Sequence, residues 1–119
     1  MHKTEKGDHM EIGTKEKSNA IIISVQGRLD AATSPQFDKA FTDLISQGHR
    51  SFLLDMEGLE YISSAGLRSI LAAAKQLKEK QGTILFASLH GPVEEVFKIS
   101  GFHSIFQVYG SEEEALTHM

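Results

Sequence analysis

The chain has no cysteine and no tryptophan, and only two prolines among its 119 residues. Without thiols there is no disulfide framework and no thiolate nucleophile. No apolar run approaches the roughly 18 residues that suggest a membrane span, and no apolar segment of a signal peptide follows the polar start. A cytoplasmic location with no membrane partner is therefore expected. Positive charge is also scarce, since 12 Lys and Arg face 16 Asp and Glu for a formal net charge of −4. That balance offers no basic footprint for a phosphate backbone, so nucleic acid is not an expected partner.

Several catalytic patterns are missing too. The six histidines, at positions 2, 9, 49, 90, 103 and 118, contain no i, i+4 pair and no HExxH, so no metal is expected. Ser63-Ser64-Ala65-Gly66 lacks the leading glycine of a nucleophile elbow. Gly58 to Gly66 lacks the GK[ST] of a phosphate-binding loop, and GxGxxG does not occur. Asp30, Asp55, Glu57 and Glu60 could form a carboxylate cluster, but scattered acids on a loop rim read as solvated surface. No catalytic residue and no cofactor is assigned.

What remains is a chain with 40% apolar and 24% charged residues, the balance of one soluble globular domain. Residues 1–9 are polar and aperiodic and read as a flexible leader, with residues 10–119 as the domain. A weak strand near residue 12 and a β-branched strand over 21–25 would pair as a hairpin. Thr33-Ser34-Pro35 offers a cap with Pro at the first helical position, opening a helix over 35–47. Strands are expected over 52–54, 84–87 and 105–109, alternating with helices over 65–80, 92–99 and 112–117. On the central helix the spacing predicts Leu67, Ile70, Leu71 and Leu77 as the buried face. Such alternation implies right-handed crossovers and an α/β fold: a mixed, mostly parallel sheet of four to five strands with about four helices.

Sites on sheets of this kind favour the loops beyond the carboxyl ends of the strands. Gly27-Arg28-Leu29-Asp30 and Met56 to Gly66 both leave such ends. In the second of these, Ser64 falls at or beside the N-cap of the central helix, where a hydroxyl satisfies a first-turn N–H. The same place tolerates a phosphate, because the helix dipole is positive there. Ala65 and Gly66 are small enough for another protein to approach closely. Arg68 lies off the apolar face, where it could touch a partner or solvent.

Leu59-Glu60-Tyr61-Ile62-Ser63-Ser64-Ala65-Gly66-Leu67-Arg68-Ser69-Ile70-Leu71 resembles the signature of the STAS domain family, in particular the bacterial anti-sigma factor antagonists. Val25-Gln26-Gly27-Arg28-Leu29-Asp30 resembles that family's strand ending in Gly-x-Leu-Asp. Val93 to Phe102 resembles its third helix with the closing glycine. The resemblance implies a non-catalytic module phosphorylated at Ser64 by an anti-sigma factor that is also a serine kinase, and reset by a serine phosphatase. Unphosphorylated, such a module sequesters the anti-sigma factor and frees a sigma factor for transcription. Asp30, Ser63, Ser64, Gly66 and Arg68 would form the partner surface. Many relatives carry an aspartate where this chain has Ser63, so two adjacent hydroxyls must be told apart. A phosphorylation-independent STAS scaffold, or a nucleotide-binding regulatory module, is the alternative.

Overall fold

The computed structural model describes residues 9–119. The proposed leader, all but His9, lies outside the described residues. Strand β1 (Met10–Lys17) turns back into β2 (Ala20–Leu29) through Ser18 and Asn19, both with positive φ, as a two-residue hairpin turn requires. Helix α1 (Ser34–Ser46) leads to β3 (Ser51–Asp55), a short β4 (Leu59–Ile62) and helix α2 (Ser64–Glu79). Then come β5 (Thr83–Ala87), α3 (Gly91–Ile99), a 3-10 turn (Phe102–Ser104), β6 (Gln107–Tyr109) and α4 (Glu112–Leu116).

The sheet runs β1-β2-β3-β5-β6, with β1 antiparallel to β2 and the other pairs parallel. Period-two alternation divides its side chains between two layers. Ile21, Ile23, Phe52, Leu54 and Phe86 point to the face covered by α1, α2 and α3. Ile22, Leu53 and Leu85 point to the other face, where Ala115 and Leu116 of α4 lie over them. Both faces are thus covered, and β3, the central strand, is apolar at every position from Phe52 to Leu54.

Three expectations are corrected. The strand β4 was not foreseen; only Leu59 and Ile62 of its four residues are buried, so it carries no periodic signal. It pairs with the second half of β2, Gly27 to Leu29, after a register shift at Gly27 and Arg28, and it brings the sheet to six strands. The last strand begins at Gln107, not 105, because Phe102 to Ser104 coil into a 3-10 turn that leaves Ile105 exposed.

The third correction concerns α2, whose inward face is Gly66, Ser69, Ile70, Ala73 and Leu77. Small residues let this helix sit close to the sheet, and the inward direction falls between Ile70 and Ala73, with Leu77 inside and Leu71 outside. Leu71, about 100° further round than Ile70, is 41% exposed, and Leu67 is only half-buried.

Candidate functional site

The carboxyl ends of β2 and β4 and the start of α2 meet at one point. Ile62 pairs with Leu29, and the next residue, Ser63, donates its N–H to the Leu29 carbonyl at 3.0 Å. Ser63 is extended, with φ −100° and ψ 177°, and its hydroxyl accepts from Gly66 N at 3.3 Å. Ser63, not Ser64, is therefore the N-cap. Ser64 is the first residue of the helix, exposed, and among the described residues its hydroxyl makes no hydrogen bond. No acidic side chain stands in the first turn, so the positive end of the helix is not offset by its own residues.

Gly66 is fixed in place by contact. A Cβ there would lie 2.5 Å from the Leu29 carbonyl oxygen and 2.8 Å from Ile62 Cγ1, so only glycine lets α2 start this close to β2 and β4. Arg68, one turn beyond Ser64, is exposed.

On the β2 side, Asp30 closes a turn. Its Oδ1 accepts from Ala32 N at 3.0 Å and Thr33 N at 3.2 Å, while the Thr33 hydroxyl accepts from Asp30 N at 2.9 Å and donates to the Arg28 carbonyl at 2.8 Å. Ser34 Oγ donates to the Asp30 carbonyl at 2.7 Å. Thr33 takes the N-cap position of α1 without a side-chain cap bond, and its hydroxyl instead ties the end of β2 to the helix start. Partial burial works to raise the Asp30 pKa, but hydrogen bonds from Thr33, Ala32 and Arg28 outweigh it and hold the carboxyl below the usual range.

A family model described as the STAS domain matches residues 11–115. The chain belongs to the STAS domain family. BtrV of Bordetella bronchiseptica, described as an anti-sigma factor antagonist, is 42% identical over 103 residues, covering 86% of this chain and 89% of BtrV. The anti-sigma F factor antagonist of Paenibacillus polymyxa is 25% identical over 112 residues, covering 93% and 96%. Among solved structures, an anti-sigma factor antagonist from Mycobacterium paratuberculosis superposes with a TM-score of 0.86 at 21% identity, covering 97% of each chain. At that identity the match speaks for the fold alone.

In this STAS domain two residues near Asp30 went unnoticed in the sequence. The Arg28 guanidinium lies 4.1 Å over the Tyr61 ring, and its Nε reaches Asp30 Oδ2 at 3.4 Å. Arg28 and Tyr61 face each other across β2 and β4, a pairing invisible until β4 is recognised. The four acids considered as a cluster do not converge. Asp30 serves its own turn, Asp55 lies at the end of β3, and among the described residues no three His, Cys, Asp or Glu side chains form a set that could hold a metal ion. Burial raises the Asp55 pKa, and the Glu112 carboxyl adds to the rise. His90 Nε2 lies 2.6 Å from the Glu57 carbonyl and joins the turn after β3 to the start of α3. No helix among the described residues is long and apolar enough to cross a membrane.

Proposed function

We propose that this STAS domain is an anti-sigma factor antagonist switched by phosphorylation of Ser64. The observation that carries the reading is the difference between the two serines: the Ser63 hydroxyl is spent on the helix cap, whereas that of Ser64 is exposed at the positive end of α2 and has no hydrogen-bond partner among the described residues. The named relatives, above all BtrV at 42% identity, support the pathway. Unphosphorylated, the domain binds an anti-sigma factor that is also a serine kinase, and so frees a sigma factor in the cytoplasm. Asp30, Ser63, Ser64 and Arg68 lie on the partner surface, whereas Gly66, also expected there, is buried against Leu29 and Ile62 and serves to bring the start of α2 up to the sheet. A serine phosphatase restores the binding form, and the domain itself catalyses nothing.

The switch acts by charge. Phosphate adds about −1.5 to −2 charges at pH 7 and three acceptor oxygens, which a helix N-terminus accommodates without unfolding. A partner seated against Ser64 then meets bulk and charge where it had close contact, and loses that complementarity. The nucleotide-binding alternative has less support. An open cleft of about 400 Å³ near the ends of β5 and β6 is lined by Glu57, Ser88, Leu89, His90, Gly110 and Ser111, with no lysine or arginine to meet a phosphate.

Incubation with the cognate anti-sigma factor kinase, captured with the unphosphorylated protein and purified, followed by phosphopeptide mapping, tests the assignment. The label is expected on Ser64, retained in Ser63→Ala and absent in Ser64→Ala. A label on Ser63 alone refutes it.

A further inference from the structure

Helix α2 carries three cations, Arg68, Lys75 and Lys78, against one acid, Glu79, in a chain with a formal net charge of −4. The ion pairs among the described residues are His9–Glu11, Lys15–Glu112, Arg28–Asp30 and Lys39–Asp43, so none of the three is engaged. Ser64, Arg68, Leu71 and Lys75 are all exposed, and their spacing of four, three and four residues places them in one stripe along the helix. Leu71 sits in the middle of that stripe, 41% exposed, where periodicity had put a core residue.

An apolar side chain between two exposed cations that no described acid pairs fits an apolar pocket whose rim carries carboxylates. We infer that Arg68, Leu71 and Lys75 form the docking surface for the kinase that modifies Ser64, and that the kinase meets it with an apolar pocket rimmed by Asp or Glu. This rests on the reading of Ser64 as the phosphorylated residue. The stripe starts at that hydroxyl, so a protein whose active site reaches Ser64 is positioned to lie along it.

The same geometry gives the release a second component. A phosphate on Ser64 stands one helical turn before Arg68, with the anion N-terminal to the cation, the favourable order for an i, i+4 pair. Phosphorylation thus draws Arg68 away from the partner's carboxylates and also repels them directly.

The test is isothermal calorimetry of purified, full-length variants against that purified kinase. Leu71→Ala should weaken binding about tenfold, and Arg68→Glu with Lys75→Glu about a hundredfold or more. Lys39→Glu, the same reversal on an exposed position of α1, should stay within about twofold, and wild-type affinity should fall as salt rises. All four positions are exposed, and a circular dichroism melt of each variant is run beside the titration to check that it folds. If the stripe variants bind like wild type while Ser64 is still phosphorylated, the docking surface is wrong and the phosphosite stands. If wild type neither binds nor accepts phosphate, the underlying reading falls, and this inference with it. Self-association of this chain that is lost in Leu71→Ala would assign the stripe to a second copy and overturn the proposal.

Discussion

Replacing Gly66 by alanine tests how tightly the Ser64 turn is built. In an ordinary helix the change gains up to about 1 kcal/mol, because Gly is the weaker helix former. Here the added Cβ meets the Leu29 carbonyl oxygen at 2.5 Å, Ile62 Cγ1 at 2.8 Å and Leu29 Cγ at 3.0 Å. The oxygen cannot retreat, since it accepts the Ser63 N–H at 3.0 Å and belongs to the β2 backbone. The start of α2 must move instead, weakening the Ser63 cap and the β4 pairing. Overpacking of this kind costs about 1–3 kcal/mol. With a backbone atom as the obstacle the upper part of that range applies, so a net loss of about 2 kcal/mol is expected after the propensity gain. For a domain of this size that lowers the melting temperature by about 8 °C. Urea denaturation followed by circular dichroism gives the free energy, with Gly13→Ala as a control, because a Cβ at Gly13 has nothing within 4 Å. A loss below about 0.5 kcal/mol for Gly66→Ala, or a gain, would refute the close approach of α2 to β2 and β4.

Other consequences follow for the helix and for two acids. Leu71→Ala should cost about 1 kcal/mol or less in urea denaturation, whereas the fully buried Ile70 should lose about 2–5 kcal/mol as alanine; equal losses would contradict the orientation of α2. Ser63→Ala should destabilise by about 0.5–1 kcal/mol through the lost cap, while Ser64→Ala should change stability little. The Asp30 carboxyl has a lower pKa folded than unfolded, so the unfolded chain binds more protons between the two values and stability rises with pH there. Asp30→Asn should be less stable than wild type at pH 7, and the gap should close as pH falls from about 4 through the lowered pKa. Asp55 has the opposite sign, its pKa being raised on folding by burial and by Glu112. Asp55→Asn should therefore be more stable than wild type at pH 7, with the gain vanishing in acid, as thermal melts across pH will show.

Much of this architecture is legible in the residues because the signals that determine it are local. β-branched runs, Pro35 at the start of α1 and the alternation of strands with helices suffice for a mostly parallel α/β sheet. Where prediction missed, the deciding contacts are tertiary. β4 has only two buried positions and exists because the bulged second half of β2 is there to pair with it. Leu71 satisfies helical spacing as well as Ile70 does, but Gly66, Ser69 and Ala73 let the helix lean toward their side. The stretch from Met56 to Gly66 was recognised as the link between a strand and the central helix, but its local detail was less legible. Which of two adjacent serines caps α2 depends on the Leu29 carbonyl that holds Ser63, a contact from another strand. The support of Asp30 by Thr33 had a visible signal in their three-residue spacing, whereas Arg28 over Tyr61 had none without β4.

The central claim is that phosphate on Ser64 releases the kinase partner, and the affinity of that partner for the two forms tests it most directly. The protein is phosphorylated to completion, confirmed by intact mass, and each form is titrated against the purified kinase at equal ionic strength. The account predicts weaker binding of the phosphorylated form by about a hundredfold or more, with the two forms giving the same circular dichroism spectrum. Equal affinity of the two forms would contradict it.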